Sequence, residues 1–448
     1  MPFPLFTDVL LWLLIVAVAL YGWICARRPH LAAPWKRVFR SKAAMACSVI
    51  LACFLLVGFL DSLHYRPRLP GGGTSPEVLS VLDLALTALR ERRERTYSAP
   101  LATRLYAREQ VLIDGRTVRA FPRLQHGGAH LADEAQWALD VAARAGLGLL
   151  CAALAASLIV LAAKRLRRRR PEVPWAAAGA AFAAVLAVAF PAAFLAAGYH
   201  VLGTDKIGQD VLYQALKSVR VSLVIGTLTT LVLLPVGIAL GIMAGYFRGW
   251  VDDVIQYTYT TLNSIPSVLL IAAAVLMMQV VIDRNAEWFA TAAQRADFRL
   301  LVLCAILGLT SWTGLARLLR GEALKLSQLE YIQAAHAFGV SDARILGRHI
   351  LPNVAHLVII AMVMDFSALV LAEAVLSYVG VGVDPATTSF GTMINAARLE
   401  MGREPVVWWS LAAAFLFMFV LVLAANLFAD AVRDGFDPRV RVGGLAVA

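Results

Sequence analysis

Charged residues are scarce in this sequence. They make up only 16% of its 448 residues, whereas hydrophobic residues make up 60%. Soluble globular domains carry about 25% charged residues, so the composition argues against that class. The mean hydropathy is +0.71, and several apolar runs reach the roughly 20 residues that a helix needs to cross a bilayer. The sequence therefore predicts an all-α, polytopic membrane protein.

The common catalytic and nucleotide-binding patterns are also missing. The sequence contains no GxxxxGK[ST] loop, so we do not expect this chain itself to bind ATP as such a loop does. It contains no HExxH pattern and no nucleophile elbow. We therefore predict that the chain is not an enzyme, assign no catalytic residue and expect no cofactor.

Cysteine and histidine give little sign of a disulfide or metal framework. The five cysteines lie in or beside apolar runs and form no CxxC pattern, so they are interpreted as small buried hydrophobic residues. His126 and His130 are four residues apart, but two glycines separate them and no third ligand is evident. A flexible loop is the favoured interpretation, and no metal site is predicted.

Positive charge exceeds negative charge, with 41 lysines and arginines against 30 acidic residues and a formal net charge of +11. The basic runs lie beside the apolar runs, chiefly in residues 27–42 and 164–170. This placement is typical of cytoplasmic loops and of contact with anionic lipid. We therefore predict that these residues meet membrane lipid and not nucleic acid.

The apolar runs predict nine membrane spans, with the N-terminus outside and the C-terminus in the cytoplasm. The first run, residues 9–25, follows Asp8 and precedes Arg27 and Arg28, which is the reverse of the charge order in a signal peptide. We therefore predict an uncleaved anchor. Cleavage remains an alternative because residues 17–19, Ala-Val-Ala, resemble a cleavage site.

Residues 61–137 are polar and lie between two spans, which predicts a small extracytoplasmic α/β insertion. Residues 75–77, Ser-Pro-Glu, are typical of a helix start, with a cap, a first-turn proline and an acid. An amphipathic stripe follows them. Residues 111–118 predict a hairpin with a turn at Asp114 and Gly115.

A polar island at residues 330–353 separates two long apolar runs. Its first part carries small residues at Ala334, Ala335 and Ala337, and it ends at Gly339. A glycine at this position supplies the left-handed conformation that ends a helix. Small side chains on such a helix would allow the backbone of another protein to approach closely.

The second part of the island predicts a second short helix. Ser341 suits its N-cap and Asp342 its first turn. Arg344, Arg348 and His349 give this helix positive charge, and Pro352 is expected to end it. On these features alone, a plain surface hairpin between two membrane helices remains an equal alternative.

The order of residues in the island resembles the coupling loop of ABC importer permeases. That pattern is Glu-Ala-Ala, three residues, Gly, and then Ile-x-Leu-Pro. Ala334, Ala335, Gly339, Leu351 and Pro352 fall in register, whereas Gln333 and His349 depart from it. The pair at 330–331, Glu-Tyr, and the run at 348–353, Arg-His-Ile-Leu-Pro-Asn, resemble the dipeptide, oligopeptide and nickel branch, C-type subunit.

Further segments resemble the same branch. Residues 203–210 are similar to its Gly-Thr-Asp-x-x-Gly-Arg-Asp signature, with Gln209 replacing the arginine. Residues 373–382 are similar to Glu-Ala-x-Leu-Ser-Phe-Leu-Gly-Leu-Gly. Where relatives usually carry an arginine and an aspartate three residues apart, this chain has Tyr257 and Thr260.

The resemblance implies a type I permease core of six helices, to which this chain adds three transmembrane helices and the insertion. It also implies two partner ABC ATPase subunits, a second homologous permease and an extracytoplasmic substrate-binding protein. The cargo would be di- or oligopeptides. The residues expected to couple the chain to the ATPases are Glu330, Ala334, Ala335, Gly339, Arg344, Arg348 and Pro352.

Two acidic residues, Asp365 and Glu373, lie within the span after the island and share roughly one helix face. Ionisable groups inside spans are functional candidates. They could line the translocation path or make polar contacts between helices, and a buried structural hydrogen bond is slightly favoured for each.

These observations predict the following division of the chain. An anchor helix and a basic cytoplasmic loop occupy 1–42, the first core helix 43–60, the insertion 61–137, two extra spans with a basic loop 138–201, an outer amphipathic segment 202–220, the permease domain 221–430 with its coupling loop at 321–353, and a cytoplasmic tail 431–448.

Two alternatives remain open. The same architecture could import nickel complexes, glycosides or antimicrobial peptides. The chain could instead be a membrane receptor or sensor whose insertion binds a ligand.

Overall fold

The computed structural model describes residues 2–68, 75, 77–113, 116–169 and 172–436. Helices dominate this part of the chain, and two short two-stranded antiparallel sheets lie in or beside the insertion. The elements are α1 (Phe6–Arg27), α2 (Pro29–Val38), α3 (Lys42–Ser62), β1 (His64–Tyr65), β2 (Leu79–Ser80), α4 (Val81–Ala85), α5 (Thr87–Glu91), β3 (Glu109–Ile113), β4 (Arg116–Ala120), α6 (Trp137–Arg169), α7 (Trp175–Ala196), α8 (Val211–Phe247), α9 (Gly249–Ser264), α10 (Ser267–Arg284), α11 (Ala292–Ser311), α12 (Thr313–Leu326), α13 (Glu330–Ala337), α14 (Asp342–Ile345), α15 (Leu351–Val379), α16 (Phe390–Glu400) and α17 (Trp409–Phe436).

Within the described ranges, nine helical segments are long and apolar enough to cross a membrane, which agrees with the predicted number of spans. The segments are Phe6–Arg27, Lys42–Ser62, Glu134–Arg165, Trp175–Ala196, Val211–Phe247, Ser267–Arg284, Ala292–Leu326, Asp342–Val379 and Trp409–Phe436. The predicted break at Pro266 separates α9 from α10. The fold is therefore an all-α polytopic membrane protein with a small α/β insertion.

Helix α8 lies at the centre of the fold and packs against α3, α11, α12 and α15. Three glycines allow α12 to approach it closely: a Cβ at Gly241 would lie 2.7 Å from the Ala316 carbonyl oxygen, and one at Gly245 would lie 2.5 Å from that of Arg320. A Cβ at Gly237 would lie 2.9 Å from Leu315. The small-residue face of this helix therefore serves helix packing, as its spacing predicts.

The segment 202–220 does not form a unit of its own. Asp210 caps α8 by accepting hydrogen bonds from the backbone N–H groups of Leu212 and Tyr213 at 2.9 and 3.1 Å. The helix then runs without interruption to Phe247, so no helix boundary lies at residue 220. The outer amphipathic segment is the first part of the central span.

A buried polar cluster, here called the α1 clamp, joins α1 to the core. Arg220 of α8 donates to Asp8 of α1 at 2.6 Å and to Asp297 of α11 at 3.2 Å. It also donates to the Thr7 hydroxyl at 2.8 Å, and the Thr7 backbone N–H donates to Asp297 at 2.9 Å. His64 lies 2.7 Å from Asp8. All these groups are buried, which favours retention of α1 as part of the folded subunit.

The insertion is built as an α/β unit, although its first helix was predicted at the wrong place. Residues 77–78 are not helical, and α4 begins at Val81 after the short strand β2. Ser80 and Asp83 form a capping box with bonds of 3.1 and 2.8 Å, so the N-cap lies five residues after the predicted cap at Ser75. Pro76 lies outside the described residues.

The predicted hairpin is present in the insertion. Strands β3 and β4 pair antiparallel, with Val111 opposite Val118 and Ile113 opposite Arg116. The turn residues Asp114 and Gly115 lie outside the described residues. The run of β-branched and apolar residues before the Asp-Gly pair was a sufficient signal for this element.

Buried charges fix the insertion to the core. Lys217 of α8 donates to Asp61 at 2.6 Å and to Asp83 at 3.1 Å, and the Tyr213 hydroxyl donates to Asp83 at 2.7 Å. The Ser98 backbone N–H donates to the Thr204 hydroxyl at 2.7 Å. The insertion is therefore held on the permease core by several polar contacts, and it is not attached through its chain ends alone.

A second buried cluster lies between the insertion and the turn before α8. His200 lies 2.8 Å from Asp210 through Nδ1 and 3.4 Å from Glu94 through Nε2. Burial alone would lower the pKa of His200, but its hydrogen bond with Asp210 and the charge of Glu94 outweigh burial and raise the pKa to about 9. Burial would raise the pKa of Glu94, but His200 and backbone N–H groups lower it to about 2.

These pKa values predict that the stability of the protein falls as the pH rises from about 7 to 10. The pKa of His200 is higher in the folded state, so its contribution is complete below the unfolded value near 6.5 and is lost as the pH passes about 9. Thermal unfolding of the purified protein in detergent measures this. We expect His200→Gln to lower the stability at pH 7 by about 2 kcal/mol and to flatten the dependence on pH.

The matched control is His126→Gln, whose backbone N–H donates to Glu94 at 2.8 Å. The substitution keeps this backbone bond and changes only the side chain. It is expected to keep the stability and the pH dependence of the wild type. An unchanged pH profile in His200→Gln would contradict the role of this histidine.

Candidate coupling surface

The polar island folds as a helical hairpin at one end of the bundle. Its first helix, α13, ends at Ala337 with Phe338 as its C-cap, and Gly339 follows with a φ of +74°, in the left-handed region as predicted. Ser341 has an extended conformation before α14, although its side chain makes no capping bond. The two helices are therefore separated by a turn that requires glycine.

The second helix does not end at Pro352, so this prediction was wrong. A single π-helical stretch, Leu346–Ile350, joins α14 directly to α15. Pro352 lies in the first turn of α15, where the lack of an N–H is least costly. The hairpin is therefore continuous with a long membrane helix, and a movement of the hairpin would be transmitted to that helix without a flexible joint.

One face of the hairpin is buried against the core. Ile332, Ile345 and Ile350 pack with Trp312 and Leu319 in a single hydrophobic cluster, and each of the three isoleucines is almost fully buried. Burial of one such side chain stabilises a fold by about 1.5–3 kcal/mol. The hairpin is thus a rigid part of the bundle and not a loose loop.

Polar contacts hold the same hairpin from its sides. The Tyr246 hydroxyl at the end of α8 donates to Asp342 at 2.7 Å, and Arg248 donates to the Ser327 hydroxyl at 2.9 Å. The Asn353 amide donates to the Tyr331 hydroxyl at 3.2 Å. Between the hairpin and the end of α8 lies a groove of about 700 Å³, whose lining includes Arg248 and His336.

The opposite face of the hairpin is exposed. Glu330, Ala334 and Gly339 lie on it, and a Cβ at Gly339 would meet no atom within 4 Å. Arg344, Arg348 and Pro352 are exposed on the second half of the hairpin. Ala335 differs from the other predicted residues because it is half-buried and packs against the hydrophobic cluster under the hairpin.

Sequence reasoning missed one residue of this face. Phe338 lies at the tip of the hairpin, directly before Gly339, and its side chain is 87% exposed. An aromatic residue in a polar island, next to a glycine that must end a helix, was an available signal. A large exposed aromatic group at the tip is suited to insertion into a pocket of a partner.

An ion pair behind the hairpin was also missed. Arg320 of α12 donates two hydrogen bonds to Asp252 of α9, both at 2.6 Å. Arg317 lies over the Tyr259 ring, 5.8 Å from its centroid. These contacts join α9 to α12, while Tyr257 is exposed.

The two acidic residues in the following span lie in different environments. Glu373 is fully buried and accepts hydrogen bonds from the hydroxyls of Ser377 and Ser389 at 2.7 and 2.9 Å. It joins α15 to the cap of α16 and does not face an open space. Asp365 is half-buried, near the middle of α15.

This chain is similar to a known protein family and to several known proteins. A family model described as "Binding-protein-dependent transport system inner membrane component" matches residues 237–442, which include the whole hairpin. A relative from Pectobacterium atrosepticum, the glutathione transport system permease protein GsiD, is 34% identical over 244 residues, covering 54% of this chain and 73% of the relative. The chain belongs to this family.

Two further relatives are named as peptide transport permeases. The oligopeptide transport system permease protein OppC of Mycobacterium tuberculosis is 32% identical over 242 residues, covering 54% of this chain and 77% of the relative. The dipeptide transport system permease protein DppC of Lactococcus lactis is 30% identical over 240 residues, covering 54% and 64%. The predicted membership in the ABC importer permeases is thereby confirmed.

One solved structure was also matched, that of an inward-facing MetNI methionine ABC transporter. It is 15% identical and has a TM-score of 0.39, covering 51% of this chain and 98% of that chain. The family match and the nine apolar helices make the permease a multi-pass inner-membrane protein. Helix α1, the insertion, α6 and α7 all lie before the residues that the family model matches.

Proposed function

We propose that the permease moves di- or oligopeptides across the inner membrane and that ATP is hydrolysed on two partner ABC ATPase subunits. The observation that carries this proposal is the hairpin, which is buried on its isoleucine face and exposed on the face of Ala334 and Gly339. Such a hairpin can transmit force, because its base is packed and its outer face is free to bind a partner. The names of the relatives support peptides as cargo.

The proposal includes two further partners. A second homologous permease completes the translocation path, and an extracytoplasmic substrate-binding protein delivers the cargo. We assign ATPase coupling to Glu330, Ala334, Gly339, Arg344 and Arg348, with Phe338 added from its exposure. Ala335 supports the hairpin through the hydrophobic cluster, and Pro352 through the first turn of α15, where it is exposed.

We assign the segments of the chain as follows. Residues 1–42 form an anchor and a basic loop, 43–60 the first core helix, 61–137 an outer insertion, 138–201 two further spans, 202–430 the permease domain, and 431–448 a cytoplasmic tail. The insertion is a fixed outer part of the permease. This assignment is supported by its contacts through Asp83 and Glu94, which tie it to the core.

Co-purification tests the function. The tagged permease would be isolated in a mild detergent and its partners identified by mass spectrometry. We expect ATPase subunits and a second permease, and we expect membranes that contain the complex to take up peptides in the presence of ATP. Isolation of a monodisperse single chain without an ATPase would contradict the proposal and favour a receptor.

The proposed topology predicts a cytoplasmic location for residue 168. A fluorescent protein fused at Arg168 should be bright, because basic residues beside spans are retained in the cytoplasm. The same fusion at Asp114, in the insertion, should be dark, and alkaline phosphatase fusions should give the opposite pattern. Phosphatase activity at residue 168 would overturn the orientation of the whole chain.

A further inference from the structure

The break between α9 and α10 exposes a polar surface where the chain enters the span Ser267–Arg284. Six residues with hydroxyl or amide side chains are exposed within ten positions, and no charged residue lies between Asp253 and Asp283. We name these six residues the polar break. They are Thr258, Thr260, Thr261, Asn263, Ser264 and Ser267.

The polar break lies on the membrane side of the arginines of α12. The Thr313 hydroxyl donates to Asn263 at 3.1 Å, and Thr313 precedes Arg317 by one helical turn. The helix that follows the break, α10, has 18 residues and is therefore about 27 Å long, close to the roughly 30 Å of hydrocarbon. The polar break accordingly lies at the cytoplasmic end of this span, and its last residue, Ser267, is the first residue of the span.

The polar break is poorly suited to contact with lipid, because some of its polar groups have no hydrogen-bond partner among the described residues. The Asn263 amide donates no hydrogen bond to any described residue, and the backbone carbonyls of Asn263 and Ser264 accept no backbone bond from the described part of the chain. Irregular backbone at membrane depth is tolerated where it is covered by protein or lines a water-filled cavity. The hydroxyls of Thr258 and Ser264 donate to backbone carbonyls of their own helix at 2.8 and 2.7 Å. The unpaired groups are therefore the Asn263 amide and the two carbonyls, and such groups cost several kcal/mol each in hydrocarbon.

The lipid-facing surfaces of the same protein have a different character. The outward side chains of α6 are mainly leucines, among them Leu158 at 68% exposure, and the outward face of α10 carries Met277 at 69% exposure. The polar break has similar exposure but the opposite polarity. The difference distinguishes a surface built for water from one built for acyl chains.

The polar break is also continuous with the coupling surface. Helix α9 begins next to Arg248, which bonds to Ser327, and its first turn carries Asp252, the partner of Arg320. One short helix therefore connects the base of the hairpin to the polar break. A displacement of the hairpin would therefore also move the polar break.

We propose that the polar break is a wall of the water-filled path at the cytoplasmic side of the permease, where it exchanges hydrogen bonds with the backbone amides of a passing peptide. This inference rests on the proposed function. Hydroxyl and amide groups both donate and accept hydrogen bonds, as peptide groups do. Because the wall carries no charge, it contacts what all peptides share and does not select for their charged side chains.

Cysteine accessibility tests the inference in the intact transporter. The five native cysteines would be replaced, and Asn263→Cys, Ser264→Cys and Ser267→Cys made singly. The probe is a charged, membrane-impermeant thiosulfonate applied to inverted membrane vesicles. We expect these cysteines to react at least about tenfold faster than Leu158→Cys and Met277→Cys, because thiols ionise in water and not in lipid.

The transport cycle supplies the second readout. Reaction at the polar break should slow severalfold when ATP and vanadate trap the transporter or when a peptide mixture is added. Asp253→Cys, beside the first turn of α9 and exposed, should react equally in all conditions and is the control for a plain cytoplasmic surface.

Three results would overturn the inference. Rates no faster than those of the two lipid-facing controls would place the polar break in lipid. Rates independent of nucleotide and peptide would make it an ordinary cytoplasmic surface. Disulfide crosslinking to a second permease, without thiosulfonate labelling, would show that the polar break is a contact between helices from which water is excluded. Failure of peptide uptake by the wild type would contradict the proposed function instead, and nucleotide-dependent labelling would then indicate a path for another cargo.

Discussion

Gly339→Trp is expected to abolish transport while the permease still inserts and folds. The backbone at Gly339 has a φ of +74°, so any side chain adds about 1–2 kcal/mol of strain. A Cβ there meets no atom of the chain within 4 Å, so the indole would project outward from the exposed face of the hairpin. It would then lie where the ATPase is proposed to bind.

Steric exclusion of this kind should have a large effect. Loss of about 3 kcal/mol of docking energy weakens ATPase binding more than 100-fold. The measurements are co-purification of the ATPase, ATP-dependent peptide uptake and the amount of permease in the membrane fraction. We expect the first two to fall to background and the third to stay near the wild-type level.

Gly339→Ala is the matched control, because it has the same backbone strain without the bulk of the indole. It should retain most of the transport activity. If Gly339→Trp takes up peptide normally, the hairpin is not the coupling surface. If Gly339→Ala is equally inactive, strain at this turn and not steric exclusion explains the loss.

Arg220→Met is expected to destabilise the permease by about 3–5 kcal/mol, because it leaves Asp8 and Asp297 buried without their cation. Methionine keeps much of the volume of the arginine stem, so the missing charge is the main change. The α1 clamp would open, and α1 would lose its polar attachment to α8, while the Thr7 backbone N–H would still donate to Asp297 of α11. We expect a lower melting temperature in detergent and easier proteolysis near the N-terminus.

Removal of the two unpaired carboxylates, Asp8 and Asp297, should reverse the loss of stability. The triple variant Arg220→Met, Asp8→Asn and Asp297→Asn carries no buried charge at these three positions, and it should recover much of the lost stability. Arg104→Met breaks an exposed pair with Glu134 and should leave the melting temperature unchanged. A melting temperature of Arg220→Met equal to that of the wild type would show that the α1 clamp does not stabilise the fold.

Several features of the fold could be predicted because their causes are local. A helix that spans a bilayer needs an unbroken apolar run, and each of the nine spans contains one. The turn at Gly339 and the break at Pro266 follow from the backbone preferences of single residues. The hairpin of the insertion follows from an Asp-Gly pair between two segments that favour strands.

The wrong predictions concern places where two local signals compete. Ser75 and Ser80 are both acceptable caps, and only the reciprocal bonds of Ser80 with Asp83 decide between them. A proline can end a helix or begin one. Pro352 begins α15 because Ile345 and Ile350 are held in the core on its N-terminal side, which continues the helical path through a π-helical stretch.

The sequence by itself determined the class of protein, the number of spans and the residue order of the coupling hairpin, since composition, run length and turn residues act over short distances along the chain. The tertiary structure alone decided which charges meet. Arg220 and Asp8 are 212 positions apart, and Arg320 and Asp252 are 68 apart. Such pairs depend on how helices pack, and packing is set by the shapes of many side chains together. For the same reason, only the structure separated Phe338 and the polar break, which are exposed, from Ala335 and Glu373, which are packed inside.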